Sequence, residues 1–431
     1  MRVAILTMFN GLSQTYSLVN VVAEHIKMFL DNNIDTTIIV SETINDNEKW
    51  GIFLDKRLKW IKIVNKLNGK QIKWYDYNNS KCTLHNTFYD EVDIIANDFE
   101  NKLKDFDFCF MHDVLYQGWH YIHNIAIRKA QKKLPNLKFI SFTQSFPVTR
   151  PKDIDKEFEG RYTSMPNTIF AYPTKSGLNV LANQYNVPIN KCVVINNSIP
   201  ILDFLDNDIK ELNKKTNFID ADILIVYPGR LTPSKKFEHV SSLVGTIKEI
   251  SNKTVKIIFC DFNCMDVNSN TYKKYIINEG INYGLNKEDI IFTSDYGYEK
   301  GFPRKAVLDL FTLSNLYICP SFSESFGLTV LEAASRGNFI ILNKKVPALE
   351  ELGNNIHAYF MCWEAKNNGY DTIETYYPSK KDYYIEHAKN ILKELNNPVI
   401  LAKTKIRTDF SNKAIFNKQI KPLLENYNLY N

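Results

Sequence analysis

The segment Ser321 to Gly337 follows the apolar run Leu316 to Cys319 and reads as a strand, a turn and a helix. Gly327 stands where the helix must open, so the backbone N–H groups of Gly327, Leu328 and Thr329 have no partner within it. They carry a partial positive charge, and that suits a phosphate. Glu324 precedes the helix and Glu332 falls in its second turn. A carboxylate can hold a vicinal diol through two charge-assisted hydrogen bonds. By spacing alone the two acids would read as an exposed pair on an ordinary helix. Their flanks, Pro320-Ser321, Phe326-Gly327 and Ala333-Ala334-Ser335 with Gly337, argue for a binding site instead.

A second constellation, Tyr227 to Lys236, follows another apolar run and offers Arg230 and Lys235 from one loop. Two cations meeting a diphosphate neutralise the charge that grows on a leaving group, work that a magnesium ion does elsewhere. Alone, a solvated basic loop explains them equally well. Paired with the Glu324 segment about 90 residues on, the donor reading is much stronger.

Together these residues resemble the family 4 retaining glycosyltransferases of GT-B fold, marked by a Pro-Ser-x-x-Glu turn, two glutamates with seven residues between them, and an Arg and a Lys five apart. The resemblance implies that Glu324, with Ser325 and Phe326, contacts the donor sugar, and that Glu332 takes the ribose of the nucleoside. It implies that Arg230 and Lys235 clamp the diphosphate beside Gly327, Leu328 and Thr329. A nucleotide sugar of UDP type is then the co-substrate, with no cofactor and no metal. Retention would follow from front-face attack, in which the leaving phosphate helps take the acceptor proton. The family pattern has Gly after the Lys, where this chain has Lys236. The specific match spans residues 222 to 350, and the first half matches in outline only.

In that first half the run Phe106 to Met111 ends in His112-Asp113, at a strand end where open α/β sheets bind ligands. The resemblance gives His112 a contact with the donor sugar, while Asp113 can orient the imidazole or receive the acceptor proton. A histidine that merely caps the strand end is the plainer explanation. The loop Met8 to Thr15 holds Gly11 but no GxGxxG, which weakens a dehydrogenase reading. Gly11, Ser13 and Gln14 are placed to meet the acceptor.

Residues 49 to 81 carry nine Lys or Arg (49, 56, 57, 59, 62, 66, 70, 73 and 81) against Asp55 and Asp76, interleaved with Trp50, Trp60, Trp74, Tyr75 and Tyr77. Asn68-Gly69 predicts a two-residue hairpin between Ile61–Val64 and Gln71–Tyr75. Alternation would put Ile61, Ile63, Leu67, Ile72 and Trp74 on one face and Lys62, Lys66 and Lys73 on the other. Such an arm can grip nucleic-acid phosphates and bases, or lie on an anionic membrane surface. It can also be a solvated face.

The run from His112 to Trp119, with Pro173 to Ser176, resembles phage-encoded glycosyltransferases that decorate hydroxymethylated pyrimidines in DNA. That resemblance implies a DNA acceptor and the host cytoplasm. A surface-glycan or lipid-linked acceptor is the alternative, and a sugar-binding module without catalysis is disfavoured by the full set of donor residues.

Positioning these groups requires two sheets. A chain of 431 residues exceeds one core. Its 44% hydrophobic and 23% charged residues exclude wholesale disorder. Six strands are expected before Pro200 (Val3–Thr7, Thr36–Val40, Phe106–Met111, Phe139–Thr143, Ile169–Pro173, Val193–Asn196). Six more follow Ile219 (Ile223–Tyr227, Lys256–Cys260, Ile290–Thr293, Leu316–Cys319, Phe339–Leu342, Ala358–Met361). Their alternation with helical stretches predicts an α/β chain of two doubly wound, Rossmann-like domains, which the resemblance sets facing a central cleft. The acceptor-side domain is expected over 1–200, the donor domain over 201–405, and a last helical segment, 406–431, packing back on the first, with the polar link between Pro200 and Ile219. No run approaches a bilayer span, and the first ten residues lack a signal-peptide pattern, so a cytoplasmic location is expected. The seven cysteines (82, 109, 192, 260, 264, 319 and 362) are odd in number and scattered, as reduced thiols are, and the Cys260/Cys264 pair lacks partners for zinc.

Overall fold

The computed structural model describes residues 1–77, 83–262, 264, 268–366, 372–373 and 380–430, so Lys81 and Cys82 lie outside it. The chain forms two compact units, Met1–Ile199 with Asn412–Asn431, and Pro200–Ser411.

The first unit is built on β1 (Arg2–Leu6), β2 (Asp35–Ser41), β3 (Lys59–Ile63), a small hairpin β4 (Lys66–Leu67) and β5 (Lys70–Gln71), then β6 (Phe108–His112), β7 (Lys138–Phe142), β8 (Thr168–Tyr172) and β9 (Cys192–Val194). The main sheet runs β3-β2-β1-β6-β7-β8-β9, parallel throughout. Helices α1 (Ser17–Asp31), α2 (Phe88–Leu103), α3 (Tyr121–Gln131) and α4 (Leu178–Tyr185) form the crossovers. Side chains alternate across a strand, and a parallel sheet covered on both faces is apolar on both. Accordingly Ala4, Leu6, Cys109 and Met111 join the core under α2 and α3, while Val3, Ile5, Phe108 and Phe110 join the core under α1. Ile415, Phe416, Ile420, Leu423, Leu424 and Tyr427 pack into that second core, and the Tyr427 hydroxyl donates to the Asn167 carbonyl at 2.6 Å.

The second unit adds β10 (Ile223–Arg230), β11 (Val255–Phe262), β12 (Ile290–Phe292), β13 (Leu316–Cys319), β14 (Phe339–Asn343) and β15 (Tyr359–Met361) in the parallel order β12-β11-β10-β13-β14-β15. Its helices are α5 (Asn207–Thr216), α6 (Phe237–Ser251), α7 (Ser269–Asn282), α8 (Arg304–Leu313), α9 (Leu328–Ala334), α10 (Pro347–Ile356), α11 (Lys380–Glu394) and α12 (Pro398–Asp409). Both units are therefore doubly wound and Rossmann-like. Among the described residues, no helix is long and apolar enough to cross a membrane.

Three features differ from the sequence reading. The chain between Pro200 and Ile219 belongs wholly to the second unit, because α5 buries Ile209 and Leu212 in its core. The change of unit near the C-terminus falls after Ser411 rather than 405. Arg407 explains the shift: its buried guanidinium donates to the carbonyls of Ile219 and Ala221 and to Asn315 Oδ1, which ties α12 to the second sheet. Finally, residues 61–63 do not form a hairpin arm. They lie in β3, paired in parallel with β2, and Ile63 is fully buried. The Asn68-Gly69 turn itself forms, with φ of 49° and 78°, the paired positive values that a tight hairpin turn needs. It closes only β4 and β5.

Candidate functional site

The two motifs, Tyr227 to Lys236 and Ser321 to Gly337, meet in the second unit. They leave the carboxyl ends of neighbouring strands β10 and β13, where open α/β sheets place their ligands. The Tyr227 hydroxyl donates to the Lys235 carbonyl at 2.8 Å and lies 3.3 Å from Ser321 Oγ. The Phe322 amide donates to the Ser234 carbonyl at 2.8 Å. With the backbones so fixed, the Lys235 ammonium donates directly to the Glu324 carboxylate. Arg230 is exposed at the end of β10 and forms no ion pair among the described residues.

Gly327 caps α9 with φ of 92°, in the left-handed region, and a Cβ there would lie 3.2 Å from carbons of Leu349 and Val330. Only glycine turns the chain this sharply without strain. Leu328 and Thr329 supply the first N–H groups of α9; Ser325, Phe326 and Leu328 are exposed around its start. Glu332 is engaged by a residue that lies outside both motifs. Arg304, at the start of α8, donates to Glu332 Oε1 from Nη2 at 2.5 Å and from Nε at 3.2 Å. The Arg304 side chain is 79% exposed, so this pair is worth at most about 1 kcal/mol and yields readily to another partner.

Lys236, which replaces the family's glycine, sits at φ 55° and ψ 45° as the cap of α6. The backbone keeps the glycine-type turn, and the side chain compensates. Its ammonium pairs with Glu364 Oε1 at 2.8 Å and lies over the Phe322 ring at 5.7 Å. His239 Nε2 lies 3.1 Å from Glu364 Oε2, and Tyr384 meets its Nδ1 at 3.1 Å. The His239 contact, with Lys236 adding to it against the opposing effect of burial, holds the Glu364 carboxyl well below the usual carboxylate range. A stability ranking follows. Lys236→Gly relieves the backbone while losing the ion pair, whereas Lys236→Ala loses the pair and keeps the strain, so Ala is expected to be less stable than Gly by about 1 kcal/mol in urea unfolding. The reverse order would mean the turn is unstrained.

In the first unit, alternation along β6 turns His112 to the α1 side with Phe108 and Phe110. It is 1% exposed, stacks on Phe142, and sets Nε2 3.4 Å from His25 Nδ1. Its Nδ1 is buried without a hydrogen-bond partner among the described residues. Burial, reinforced by His25, holds its pKa well below the ordinary value, and the ring is neutral near pH 7. Asp113 does not orient this imidazole. At φ 56° its carboxylate turns the other way and accepts from the Gln144 amide at 2.8 Å and the Ser145 hydroxyl at 3.2 Å. Burial raises its pKa against those hydrogen bonds. His25, at helical spacing among the apolar residues of α1, carries no sequence signal that separates it from core.

The loop after β1 is braced internally. Glu48 Oε2 accepts from the Leu12 amide at 3.2 Å beside Gly11, the Trp50 indole donates to the Leu12 carbonyl at 2.7 Å, Ser13 meets Thr15 at 2.9 Å, and the Gln14 carbonyl accepts from Asn20. The basic segment is largely neutralised. Lys49 and Lys62 pair with Asp46, Arg57 with Asp55, Lys59 with Asp35, and Lys66 with Glu42. Lys62 also donates to the Ile44 carbonyl at 2.8 Å. Hence Lys62, Lys66 and Lys73 do not share one free face. Trp74 is half-buried, and its indole donates to Asn65 Oδ1 at 3.2 Å.

Residues 208–362 match the protein-family model described as Glycosyl transferases group 1. No curated protein matches the chain. Among solved structures it is similar to a glycosyltransferase from Rickettsia africae (15% identity, 98% of each chain, TM-score 0.35). It is also similar to the sucrose-phosphate synthase of Thermosynechococcus elongatus (11% identity, 99% of each chain, TM-score 0.38). The match at 208–362 lies within the second unit and contains Arg230, Lys235, Glu324 and Glu332, and it marks the chain as an enzyme of the glycosyltransferase kind.

Proposed function

We propose that the chain is a retaining, metal-independent transferase that moves a sugar from a nucleoside diphosphate, of UDP type, to a hydroxyl acceptor. The observation that supports this reading is the Lys235–Glu324 contact, which brings together the cation we assign to the diphosphate and the carboxylate we assign to the sugar. Arg230 and Lys235 hold the diphosphate with the N–H groups of Gly327, Leu328 and Thr329, and Glu332 exchanges Arg304 for the ribose diol. Glu324, Ser325 and Phe326 border the sugar. The acceptor oxygen attacks the anomeric carbon on the face from which the diphosphate departs. The C–O bond to phosphate breaks, its electron pair goes to the diphosphate, and the acceptor proton passes to a phosphate oxygen. The two cations balance the charge that develops.

The acceptor we favour is a hydroxymethylated pyrimidine of DNA. Ion pairing removes most of the basic segment from that reading, but Lys70 and Lys73 have no ion pair among the described residues. The test is a donor screen against hydroxymethylated DNA, plain DNA and simple glycans, read by mass spectrometry of the product. Glu332→Ala is expected to raise KM for the sugar nucleotide and Glu324→Ala to lower kcat, with turnover unaffected by a chelator. Unchanged kinetics in both variants, or inhibition by chelation that magnesium reverses, would overturn the mechanism.

A further inference from the structure

The first unit contains a cavity of about 540 Å3 lined by Asn10, Thr43, Asn65, Trp74, Tyr75 and Trp119, with Gln71, Ile72 and Lys73 completing its wall. Its walls come from the carboxyl ends of β1, β2, β3 and β6, through the loops that follow them. This is the edge at which a parallel sheet receives a ligand, and the size suits a nucleotide-sized occupant.

The lining is chemically selective. Trp119 and Tyr75 are 49% and 44% exposed; the Tyr75 ring leans on His85 at 4.9 Å between centroids and offers its remaining surface to an occupant. Trp74 is held in place: its indole N–H is bound to Asn65, and its ring packs edge-on against His120 and His123 at 5.4 and 5.2 Å between centroids. Asn10 and Gln71 present exposed amides, each of which both donates and accepts, as the edge of a pyrimidine requires, while Asn65 is buried with its Oδ1 taken by Trp74. Among the described residues, no carboxylate lines the cavity. Charge then decides between occupants of similar shape. Lys49, Lys59, Lys62 and Lys66 are spent on Asp46, Asp35 and Glu42, while Lys73 on the wall and Lys70 at the adjoining hairpin have no ion pair among the described residues. A neutral glycan would leave both ammonium groups idle; a base with its flanking phosphates uses them.

We infer that this cavity receives one base of a nucleic-acid strand, turned out of its stack onto Trp119, Tyr75 and Trp74, with Lys70 and Lys73 on the neighbouring phosphates. The inference rests on the proposed transfer for its consequence, because the base held there would carry the acceptor hydroxyl. Extruding a base onto aromatic and amide side chains is how enzymes reach an atom that a duplex hides.

The test uses the full chain and labelled single-stranded oligonucleotides that contain either one 5-hydroxymethyluracil or an abasic position at the same place. Fluorescence anisotropy gives affinities, and calorimetry with UDP on the same samples reports the donor site separately. The base-bearing strand is expected to bind about ten-fold or more tightly than the abasic one, since one stacked base carries that much affinity. Trp119→Ala and Tyr75→Ala, at exposed positions that do not threaten folding, are expected to erase the difference and leave UDP binding unchanged. Lys70→Gln with Lys73→Gln should reduce the salt slope by about 1.4, two phosphates at roughly 0.7 each on a single strand. Equal binding of the two strands by the wild-type chain, or displacement of the oligonucleotide by a neutral linear glucan at comparable concentration, would overturn the inference. Base binding without any binding of UDP would instead sink the transferase reading and leave the cavity assigned.

Discussion

Lys235→Ala is expected to lower kcat by about 30- to 1,000-fold, a barrier increase of about 2 to 4 kcal/mol, by analogy with other preorganised groups that meet developing charge. Two effects act together. The diphosphate loses a cation placed where its negative charge grows, and Glu324, whose side chain is only 18% exposed, loses the ammonium that neutralises it. A partly buried carboxylate without its partner repels an incoming diphosphate, so donor KM should also rise. Lys235→Arg keeps the charge but brings a larger, planar head group, and should recover part of the rate. Arg230→Ala is expected to cost less, because its side chain is exposed and engages no other group of the described site. Steady-state kinetics separate the possibilities. A Lys235→Ala enzyme with raised KM and unchanged kcat would show that the lysine binds ground state and transition state equally, and would remove it from the chemical step.

The placement of the two motifs of the second unit was legible because its information is local. Each motif is a strand, a turn and the start of a helix, so Arg230, Lys235, Gly327 and Glu332 stand where the sequence pattern puts them, and two motifs at the ends of adjacent parallel strands must come together. What escaped was tertiary. Arg304 reaches Glu332 from a different crossover, and Glu364 reaches Lys236 from beyond the specific family match. The basic segment looked like an open cationic arm only because its acids, Asp35, Glu42 and Asp46, lie earlier in the chain, on β2 and the turn after it. The Asn68-Gly69 signal was sound but short-ranged. It specified the turn, while the pairing of β3 with β2 and the burial of Ile63 decided the strand that precedes it. Asp113 shows the same limit: adjacency to His112 suggested a partnership, yet a positive φ sends its carboxylate to Gln144 instead.

Acid should unfold the first unit before the second. The first unit holds two neighbouring pairs, His25 with His112 in the core and the half-buried His120 edge-on to the buried His123, and burial lowers all four pKa values, to about 4 for His25 and His120. Each imidazole therefore binds its proton more weakly in the folded unit than in the unfolded chain, whose histidines titrate near 6.5. Stability is full above pH 6.5 and falls as protons add to the unfolded chain between 6.5 and 4. A displacement of this size is worth about 3 kcal/mol for each of His25 and His120 by pH 4, and within each pair a first proton further disfavours the second. Asp113 works in the opposite sense, since burial raises its carboxyl and its protonation favours the folded state, but it is one group against four. The readout is convenient because Trp50, Trp60, Trp74 and Trp119 lie in the first unit and Trp363 alone in the second. Urea titrations followed by tryptophan emission at pH 7.5, 6.5, 5.5 and 4.5 are expected to show a midpoint that falls steeply below 6.5. His25→Leu, which replaces a buried imidazole on the apolar face of α1, should make that slope shallower. A midpoint independent of pH across this range, or an unchanged slope in His25→Leu, would show that these rings already carry their protons within the fold.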